Sequence, residues 1–160
     1  MKLLVAGFGR IGREFVKLLV ERKGALERKY RLRIQLAGIV DSRGLLGCGR
    51  GLSEDLVRAP RSRVSELSGG MPGIGVADAL VMLEADVLVE ATPSTYAPEC
   101  PGIGHVLEAV SRGAHVITAN KAPLALSCSE VMRRASNSGA VVEYKATVMA
   151  GVPPPGRAPA

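Results

Sequence analysis

The 160-residue sequence predicts an α/β fold, in which a doubly wound, mostly parallel sheet carries helices on both faces. Short apolar runs alternate with amphipathic stretches of helical length along the chain. The first apolar run, residues 3–6, ends in a glycine-rich turn, and apolar residues at helical spacing follow the turn directly. Later strand candidates end in polar residues, as the ligand-facing strands of such sheets do. This order of elements is that of the Rossmann-type folds.

The glycine-rich turn has the spacing Gly-x-Gly-x-x-Gly and reads Gly7-Phe8-Gly9-Arg10-Ile11-Gly12. Gly7 allows a tight turn, Gly9 lets the backbone approach a pyrophosphate, and Gly12 lets the helix pack closely on the strand. The N–H groups and the positive dipole end of the following helix then face the pyrophosphate. The motif alone is weak evidence, but the strand before it and the helix after it complete its expected context. We therefore predict that this turn binds a nucleotide.

The next strand candidate, residues 33–40, ends at Asp41, and Ser42 and Arg43 follow. A carboxylate at this strand end holds the adenosine ribose hydroxyls in dinucleotide-binding folds, and it favours NAD. An arginine beside it can receive the 2′-phosphate of NADP, so the predicted cofactor is NADP or NAD. Asp41 is also an ordinary residue for a turn.

Two stretches are longer than the fold requires. The first helix is predicted over residues 10–22, and the charged residues 23–31 are interpreted as its solvated end or as a connection. The acidic residue therefore follows the third glycine by more than the usual spacing of about 20 residues. Residues 44–75 have the least regular pattern, with a short helix predicted from Ser53 and a Gly- and Pro-rich stretch after it. We interpret this segment as a surface excursion, because a helix predicted over 76–85 resumes the alternation.

Two later strands end in polar segments on the predicted ligand side of the sheet. Strand 86–91 runs into Thr92-Pro93-Ser94, and strand 115–118 runs into Ala119-Asn120-Lys121. Thr92 and Ser94 are candidates for cofactor contact, although simple turn chemistry explains them equally well. Lys121 precedes a Pro-initiated helix and would project toward the glycine-rich turn, where its amine could transfer a proton. Spacing alone does not distinguish it from an exposed surface lysine.

The remaining pattern completes one domain. Helices predicted over 104–112 and 124–138 are each followed by a glycine, and a last strand is predicted over 140–144. The Pro-rich residues 154–160 fit neither a helix nor a strand. We therefore predict a dinucleotide-binding domain over residues 1–153 and an irregular tail over 154–160.

Composition excludes several other classes of protein. The net charge is +6, but aromatic residues make up only 3% of the chain and the arginines are scattered, so no nucleic-acid partner is predicted. An arginine-rich surface explains the charge, and a phosphorylated cofactor is compatible with it. No apolar run approaches the roughly 20 residues that span a membrane, so we predict no membrane contact and a cytoplasmic location.

The three cysteines, Cys48, Cys100 and Cys128, are widely separated and indicate neither a disulfide framework nor a zinc site. His105 and His115 have no partners at metal-ligand spacing and are interpreted as ordinary positions.

Five segments together resemble homoserine dehydrogenase, specifically its N-terminal nucleotide-binding domain, over residues 2–153. They are the glycine-rich turn, Asp41-Ser42-Arg43-Gly44, Glu90-Ala91-Thr92-Pro93-Ser94, Thr118-Ala119-Asn120-Lys121-Ala122-Pro123-Leu124-Ala125 and Ala146-Thr147-Val148-Met149-Ala150-Gly151-Val152-Pro153. The last two segments are far more specific than the glycine-rich turn. The resemblance implies an NAD(P)-dependent enzyme that interconverts L-homoserine and L-aspartate 4-semialdehyde.

The resemblance also implies roles for individual residues. Lys121 would lie beside the nicotinamide and the reacting hydroxyl, where it would transfer a proton or orient the substrate. The cofactor-binding residues indicated by the motifs and the resemblance together are Gly7, Phe8, Gly9, Arg10, Ile11, Gly12, Asp41, Ser42, Arg43, Thr92, Pro93, Ser94, Ala119, Asn120 and Lys121. The carbonyls of Val148, Ala150 and Val152 match donors to a monovalent cation at the family's domain junction. The family usually has Glu before the Ala-Thr-Val of this segment, whereas Lys145 stands here, so we predict no metal site.

The family continues for roughly as many residues again, into a domain that binds the amino-acid part of the substrate and forms the dimer. We therefore expect this chain alone to bind a nicotinamide dinucleotide but to show little or no dehydrogenase activity. It would act on a small amino-acid substrate only if that domain were supplied. Formation of a homodimer is left open, because an apolar edge near residues 140–153 would favour self-association.

The alternative functions are a stand-alone nucleotide-binding or redox-sensing module and a subunit completed by a separate chain. A semialdehyde dehydrogenase has less support, because no cysteine lies in a nucleophile context.

Overall fold

The computed structural model describes residues 1–47, 64–97 and 100–148. Within these ranges the chain forms one seven-stranded sheet in the order β4-β3-β2-β1-β5-β6-β7. The strands are β1 (Lys2–Ala6), β2 (Gln35–Asp41), β3 (Gly44–Gly47), β4 (Gly70–Pro72), β5 (Val87–Glu90), β6 (His115–Thr118) and β7 (Val142–Glu143). The pairs from β2 through β1, β5 and β6 to β7 are parallel. This mostly parallel sheet confirms the predicted fold class.

Helices connect the parallel strands. They are α1 (Arg10–Tyr30), α2 (Val76–Met82), α3 (Pro101–Ser111) and α4 (Ala122–Ser138), with short 3-10 helices at Val64–Glu66 and Lys145–Thr147. Glycine at positive φ follows α3 and α4, at Gly113 (φ 78°) and Gly139 (φ 73°), as the sequence predicts.

The sheet separates two apolar cores. Alternate residues of a strand point to opposite faces, so Leu3 and Val5 of β1 pack with Val16 and Leu19 of α1. Leu4 and Ala6 point to the other face, which is covered by buried residues of α2, α3 and α4. Helices therefore cover both faces of the described sheet, as the sequence predicts.

The first helix is longer than predicted. It continues from residue 22 to Tyr30 and is followed by Arg31, which adopts a left-handed conformation with φ 53°. Arg28 and Lys29 lie in its last turn, where positive side chains interact favourably with the helix dipole. The charged residues 23–31 are therefore mostly helix, and this added length accounts for the distance from the glycine-rich turn to the end of β2.

The two ends of the predicted surface excursion belong to the sheet. β3 pairs antiparallel with β2, and β4 pairs antiparallel with β3. Leu45 of β3 is fully buried, and Leu46 is 6% exposed. The pairing of these strands shows that the interpretation of 44–75 as a surface excursion is wrong for them. They are not predicted as strands because their glycines and proline resemble turn sequence. The helix predicted from Ser53 and the thiol of Cys48 lie outside the described residues.

The last described residues form an exposed apolar edge beside β7. Val141 (54%), Tyr144 (44%) and Val148 (59%) are all exposed. Among the helices of the described ranges, none is long and apolar enough to cross a membrane.

Candidate functional site

A cleft of about 760 Å³ opens at the edge of the sheet where the parallel strands end. Residues that follow β1, β2, β5 and β6 line it, together with residues at the starts of α1, α2 and α3. Ligands of doubly wound sheets bind at this edge, outside the carboxyl ends of the strands.

The glycine-rich turn forms one wall of the cleft. Gly7 has φ 91°, and its N–H donates to the carbonyl of Val40 at 2.8 Å. A Cβ atom on Gly7 would lie 2.7 Å from backbone atoms of Ala91 and Thr92, and a Cβ atom on Gly12 would overlap the carbonyl of Gly7. The backbone geometry therefore requires glycine at both positions. It also holds the ends of β1, β2 and β5 together.

Gly9 has a different environment. A Cβ atom there would meet nothing within 4 Å, and Gly9 lines the cleft at the N-cap of α1. No side chain caps α1, so the N–H groups of its first turn are not satisfied in this way. Arg10 and Ile11 line the cleft at the same helix start, and Ile11 is 56% exposed. Open space beside uncapped N–H groups is the arrangement that accommodates a phosphate.

Asp41 ends β2 and shapes the turn that follows. One carboxylate oxygen accepts the backbone N–H of Arg43 and the other accepts that of Val64, both at 2.8 Å. Asp41 and Ser42 line the cleft, whereas the side chain of Arg43 is exposed and is not among the cleft-lining residues. Among the described residues no other donor is bonded to this carboxylate, so each oxygen has a second lone pair for a ligand hydroxyl.

The ends of β5 and β6 are joined by buried hydrogen bonds. Oε1 of Glu90, which is fully buried, accepts the backbone N–H of Thr92 at 2.8 Å and also the hydroxyl of Thr92. The side-chain amide of Asn120 donates to Thr92 Oγ1 at 3.1 Å, and its oxygen accepts the N–H of Ala122 at 3.0 Å. The Nδ1 atom of His105, on α3, lies 2.8 Å from Oε2 of Glu90.

Lys121 lines the cleft at the N-cap position of α4. Its backbone N–H donates to the hydroxyl of Ser94 at 2.9 Å, which joins the loop after β5 to the loop after β6. The structure thus brings Lys121 to the same cleft as the glycine-rich turn, as predicted from its place at a strand end.

Three of the residues predicted to bind cofactor do not line the cleft: Gly12, Arg43 and Asn120. Gly12 packs the helix against the turn, and Asn120 is 1% exposed and orders the two loops beneath the cleft. The other predicted residues do line it: Gly7, Phe8, Gly9, Arg10, Ile11, Asp41, Ser42, Thr92, Pro93, Ser94, Ala119 and Lys121.

The pairing of Glu90 with His105 is not predicted from the sequence. His105 lines the cleft, although its lack of a partner at metal-ligand spacing indicates an ordinary position. Glu90 carried a signal, because a charged residue closes an otherwise apolar strand. The position of His105 carried none, since only the packing of α3 brings it to the end of β5.

Cys100 lies next to the cleft without lining it, and it is 4% exposed. Burial raises the pKa of its thiol, but hydrogen bonds with Thr95 and with the backbone of Gly102 and Ile103 outweigh burial and lower that pKa overall. Because Cys100 is buried and does not line the cleft, its position gives no support to a cysteine nucleophile.

The predicted cation donors do not form a described site. Val148 is exposed, and Ala150 and Val152 lie outside the described residues. Nζ of Lys145 lies 3.7 Å from a carboxylate oxygen of Glu143. Among the described residues, no three His, Cys, Asp or Glu side chains are grouped so as to hold a metal ion.

Most of the chain matches the profile of one protein family. The profile described as "Homoserine dehydrogenase, NAD binding domain" matches residues 7–145. This chain belongs to that family. The match confirms the resemblance drawn from the five sequence segments.

Relatives of the chain are homoserine dehydrogenases. That of Methanocaldococcus jannaschii is 32% identical over 160 residues, covering 96% of this chain and 46% of the relative. The NAD(+)-dependent homoserine dehydrogenase of Pseudomonas canavaninivorans is 30% identical over 156 residues, covering 95% of this chain and 44% of the relative. The chain therefore spans about half the length of the curated relatives it matches.

Solved structures share the fold. A putative homoserine dehydrogenase from Archaeoglobus fulgidus superposes with a TM-score of 0.72 at 24% identity, over 92% of this chain and 42% of that one. A hyperthermophilic archaeal homoserine dehydrogenase in complex with NADPH gives 0.75 at 21% identity, over 92% of this chain and 44% of that one. Likeness at these identities shows that this chain shares the fold of those structures, which is the Rossmann-type fold predicted from the sequence.

Proposed function

We propose that this chain binds NADP or NAD in the cleft and serves as the dinucleotide-binding part of an enzyme that interconverts L-homoserine and L-aspartate 4-semialdehyde. The single observation that carries the proposal is the wall formed by Gly9 and the uncapped start of α1. The family assignment supports the same reading. One solved relative binds NADPH and one curated relative is named as NAD(+)-dependent, so both cofactors are candidates.

The cleft fits an extended dinucleotide. Gly7, Phe8, Gly9, Arg10 and Ile11 would lie along the pyrophosphate, and Asp41 and Ser42 along the adenosine ribose. Arg43 would approach only a 2′-phosphate, because its side chain is exposed outside the cleft. The loops after β5 and β6 would hold the other half of the molecule through Thr92, Pro93, Ser94 and Ala119.

The bound dinucleotide supplies the ring that accepts or donates a hydride. Lys121 would hold the proton that leaves or joins the substrate oxygen, because Lys121 lines the cleft after the end of β6. The hydrogen bond between its backbone N–H and Ser94 fixes where the side chain begins. Fixing that starting point lowers the entropic cost of orienting the amine.

We propose that residues 1–153 form the dinucleotide-binding domain, with 154–160 as a tail outside it. Hydride transfer requires both reactants held in register. We therefore expect the 160-residue chain by itself to bind cofactor without turning homoserine over. A cytoplasmic location is part of the proposal, since Cys100 and Cys128 are free thiols and such thiols stay reduced there.

Calorimetric titration of the purified chain with NADP and with NAD tests the proposal, in parallel with a homoserine oxidation assay. We expect saturable binding of at least one dinucleotide and no turnover. If neither dinucleotide bound, the proposed function would be wrong. Turnover by the chain alone would instead show that these residues assemble a complete substrate site.

A further inference from the structure

The buried carboxylate of Glu90 divides its hydrogen bonds between its two oxygens. Oε1 accepts the backbone N–H and the hydroxyl of Thr92, and the amide of Asn120 lies 3.5 Å away. Oε2 faces Nδ1 of His105 at 2.8 Å. A backbone N–H can only donate, so Oε1 is the acceptor in its hydrogen bond with Thr92.

This arrangement determines which nitrogen of His105 carries the proton. With Glu90 ionised, its carboxylate only accepts hydrogen bonds, so Nδ1 of the imidazole donates to Oε2. In the neutral ring, Nε2 then has no proton and is an acceptor. No described residue forms a hydrogen bond with Nε2. His105 lines the cleft, and its side chain is 23% exposed. A buried carboxylate therefore presents an imidazole acceptor to the ligand space.

The place of His105 in the cleft predicts what it meets. The strand order β2-β1-β5-β6 puts the proposed adenosine end at Asp41 and the pyrophosphate at the glycine-rich turn. The other half of the dinucleotide must then extend over the ends of β5 and β6. Glu90 ends β5, and His105 is bonded to it.

We propose that His105 binds the nicotinamide half of the dinucleotide, with Nε2 accepting a hydrogen bond from a ribose hydroxyl or the carboxamide N–H. Glu90 is the positioning residue, because accepting a hydrogen bond from Nδ1 places the proton of the neutral ring there and leaves Nε2 as the acceptor. This inference rests on the proposed function. The charged groups that line the cleft with His105 are Arg10, Asp41 and Lys121, and Glu90 lies behind the ring.

Nitrogen NMR of the two histidines tests the inference directly, because the chain contains only His105 and His115. Nδ1 of His115 accepts the N–H of Val141 at 3.0 Å, so its neutral ring carries the proton on Nε2. We expect opposite tautomers for the two rings at a pH where both are neutral. An Nε2-protonated His105 would overturn the inference before any ligand is added.

Ligand additions then locate the contact. NADP should shift the Nε2 signal of His105 and leave that of His115 unchanged. Adenosine 2′,5′-bisphosphate, which has the adenosine end but no nicotinamide half, should bind without shifting either signal. If NADP bound and left His105 unchanged, this inference would be wrong while the proposed function stood. If neither NADP nor NAD bound, the proposed function itself would fail; if only NAD bound, NAD would replace NADP in this titration.

His105→Asn separates the acceptor from the structural bond, since the Asn amide can still donate to Glu90 while Nε2 is lost. We expect NADP affinity to fall by about 3- to 10-fold, the worth of one hydrogen bond, with unchanged affinity for adenosine 2′,5′-bisphosphate. His115→Asn is the matched control and should change neither affinity. Equal NADP binding by His105→Asn and the wild type would contradict the inference.

Glu90→Gln tests the positioning role by its tautomer. The fixed N–H of Thr92 keeps the amide oxygen at the Oε1 position, so the amide NH₂ faces Nδ1 of His105. Nδ1 must then accept, and the ring proton moves to Nε2. We expect the His105 signals to take the His115 pattern and NADP binding to weaken. An unchanged His105 tautomer in a folded Glu90→Gln variant would refute the positioning role.

Discussion

Gly7 and Gly9 stand two residues apart in one motif, yet the structure predicts opposite consequences for their replacement by alanine. Gly7→Ala should damage folding, whereas Gly9→Ala should leave the fold intact and weaken dinucleotide binding. The pair therefore separates the structural from the ligand-binding use of the glycine-rich turn.

The cost at Gly7 has two sources. Its φ of 91° is strained for any residue with a Cβ atom, which costs about 1–3 kcal/mol. The added Cβ would also lie 2.7 Å from backbone atoms of Ala91 and Thr92, which cannot rotate away as a side chain does. Overpacking of this kind adds about 1–3 kcal/mol. A total near 4 kcal/mol lowers the melting temperature by roughly 8–16 °C for a chain of this size.

The cost at Gly9 is small. Its φ of −77° and ψ of −155° suit any residue, and the added methyl group would meet nothing within 4 Å. Alanine is a poorer N-cap than glycine. It also reduces the conformational entropy of the unfolded chain, which stabilises the folded state by about 0.4–1 kcal/mol. The two effects oppose each other. The methyl group would stand where the pyrophosphate approaches, so we expect at least about 10-fold weaker NADP binding.

Thermal melts and calorimetric titration of both variants measure these effects. Gly24→Ala is the matched control, because Gly24 lies exposed within α1, away from the cleft. It should stabilise the chain by about 0.5–1 kcal/mol and leave binding unchanged. Wild-type affinity in Gly9→Ala would refute the placement of the pyrophosphate, and a wild-type melting temperature in Gly7→Ala would refute the described turn.

Two further predictions concern carboxylates. Asp41→Ala releases two backbone N–H groups and should destabilise the chain by about 1–3 kcal/mol. Calorimetry should show NAD affinity falling more than NADP affinity, because a carboxylate favours ribose hydroxyls over a 2′-phosphate; an equal fall would contradict this. Hydrogen bonds from Arg133 and Arg134 lower the pKa of Glu130 from 4.5 to about 2, so its contribution to stability is present above pH 4.5 and is lost as the pH falls through 2. Glu130→Gln should flatten the pH dependence of the melting temperature over that range, and a carboxyl NMR titration with its midpoint near 4.5 would refute the ion pairs.

Much of the fold follows from local pattern. Strand β6 lies where its apolar run predicts it. Gly139 ends α4 because the end of this helix has a left-handed backbone conformation, which glycine adopts readily. The short strands β3 and β4 were not predictable in this way. Each has only three or four residues, and pairing across the sheet, rather than any propensity of Gly-Met-Pro, makes β4 a strand.

The candidate site likewise contains residues that could be predicted from the sequence and residues that could not. The glycine-rich turn and Lys121 could be predicted because their positions are set by the strands that precede them. Their neighbours could not be distinguished as ligand-facing or structural. Asn120 adjoins Lys121 in sequence but lies 1% exposed beneath the cleft, whereas Lys121 lines it. A one-residue difference at a strand end reverses the direction of a side chain, and sequence gives that direction only to within the uncertainty of the strand's end.

Glu90 shows how such a residue could be interpreted from sequence. In a strand the side-chain direction alternates, so Glu90 shares a face with Leu88, which is fully buried under the helices on that side. A buried carboxylate must find donors, since leaving it unpaired would cost several kcal/mol. The residues able to reach the end of β5 are its own following turn, the end of the neighbouring β6 and the start of the next helix. These supply Thr92, Asn120 and His105, in that order. A charged residue that closes an apolar strand at the ligand edge therefore predicts a network beneath the ligand, and the histidine that completes it is the part open to the cleft.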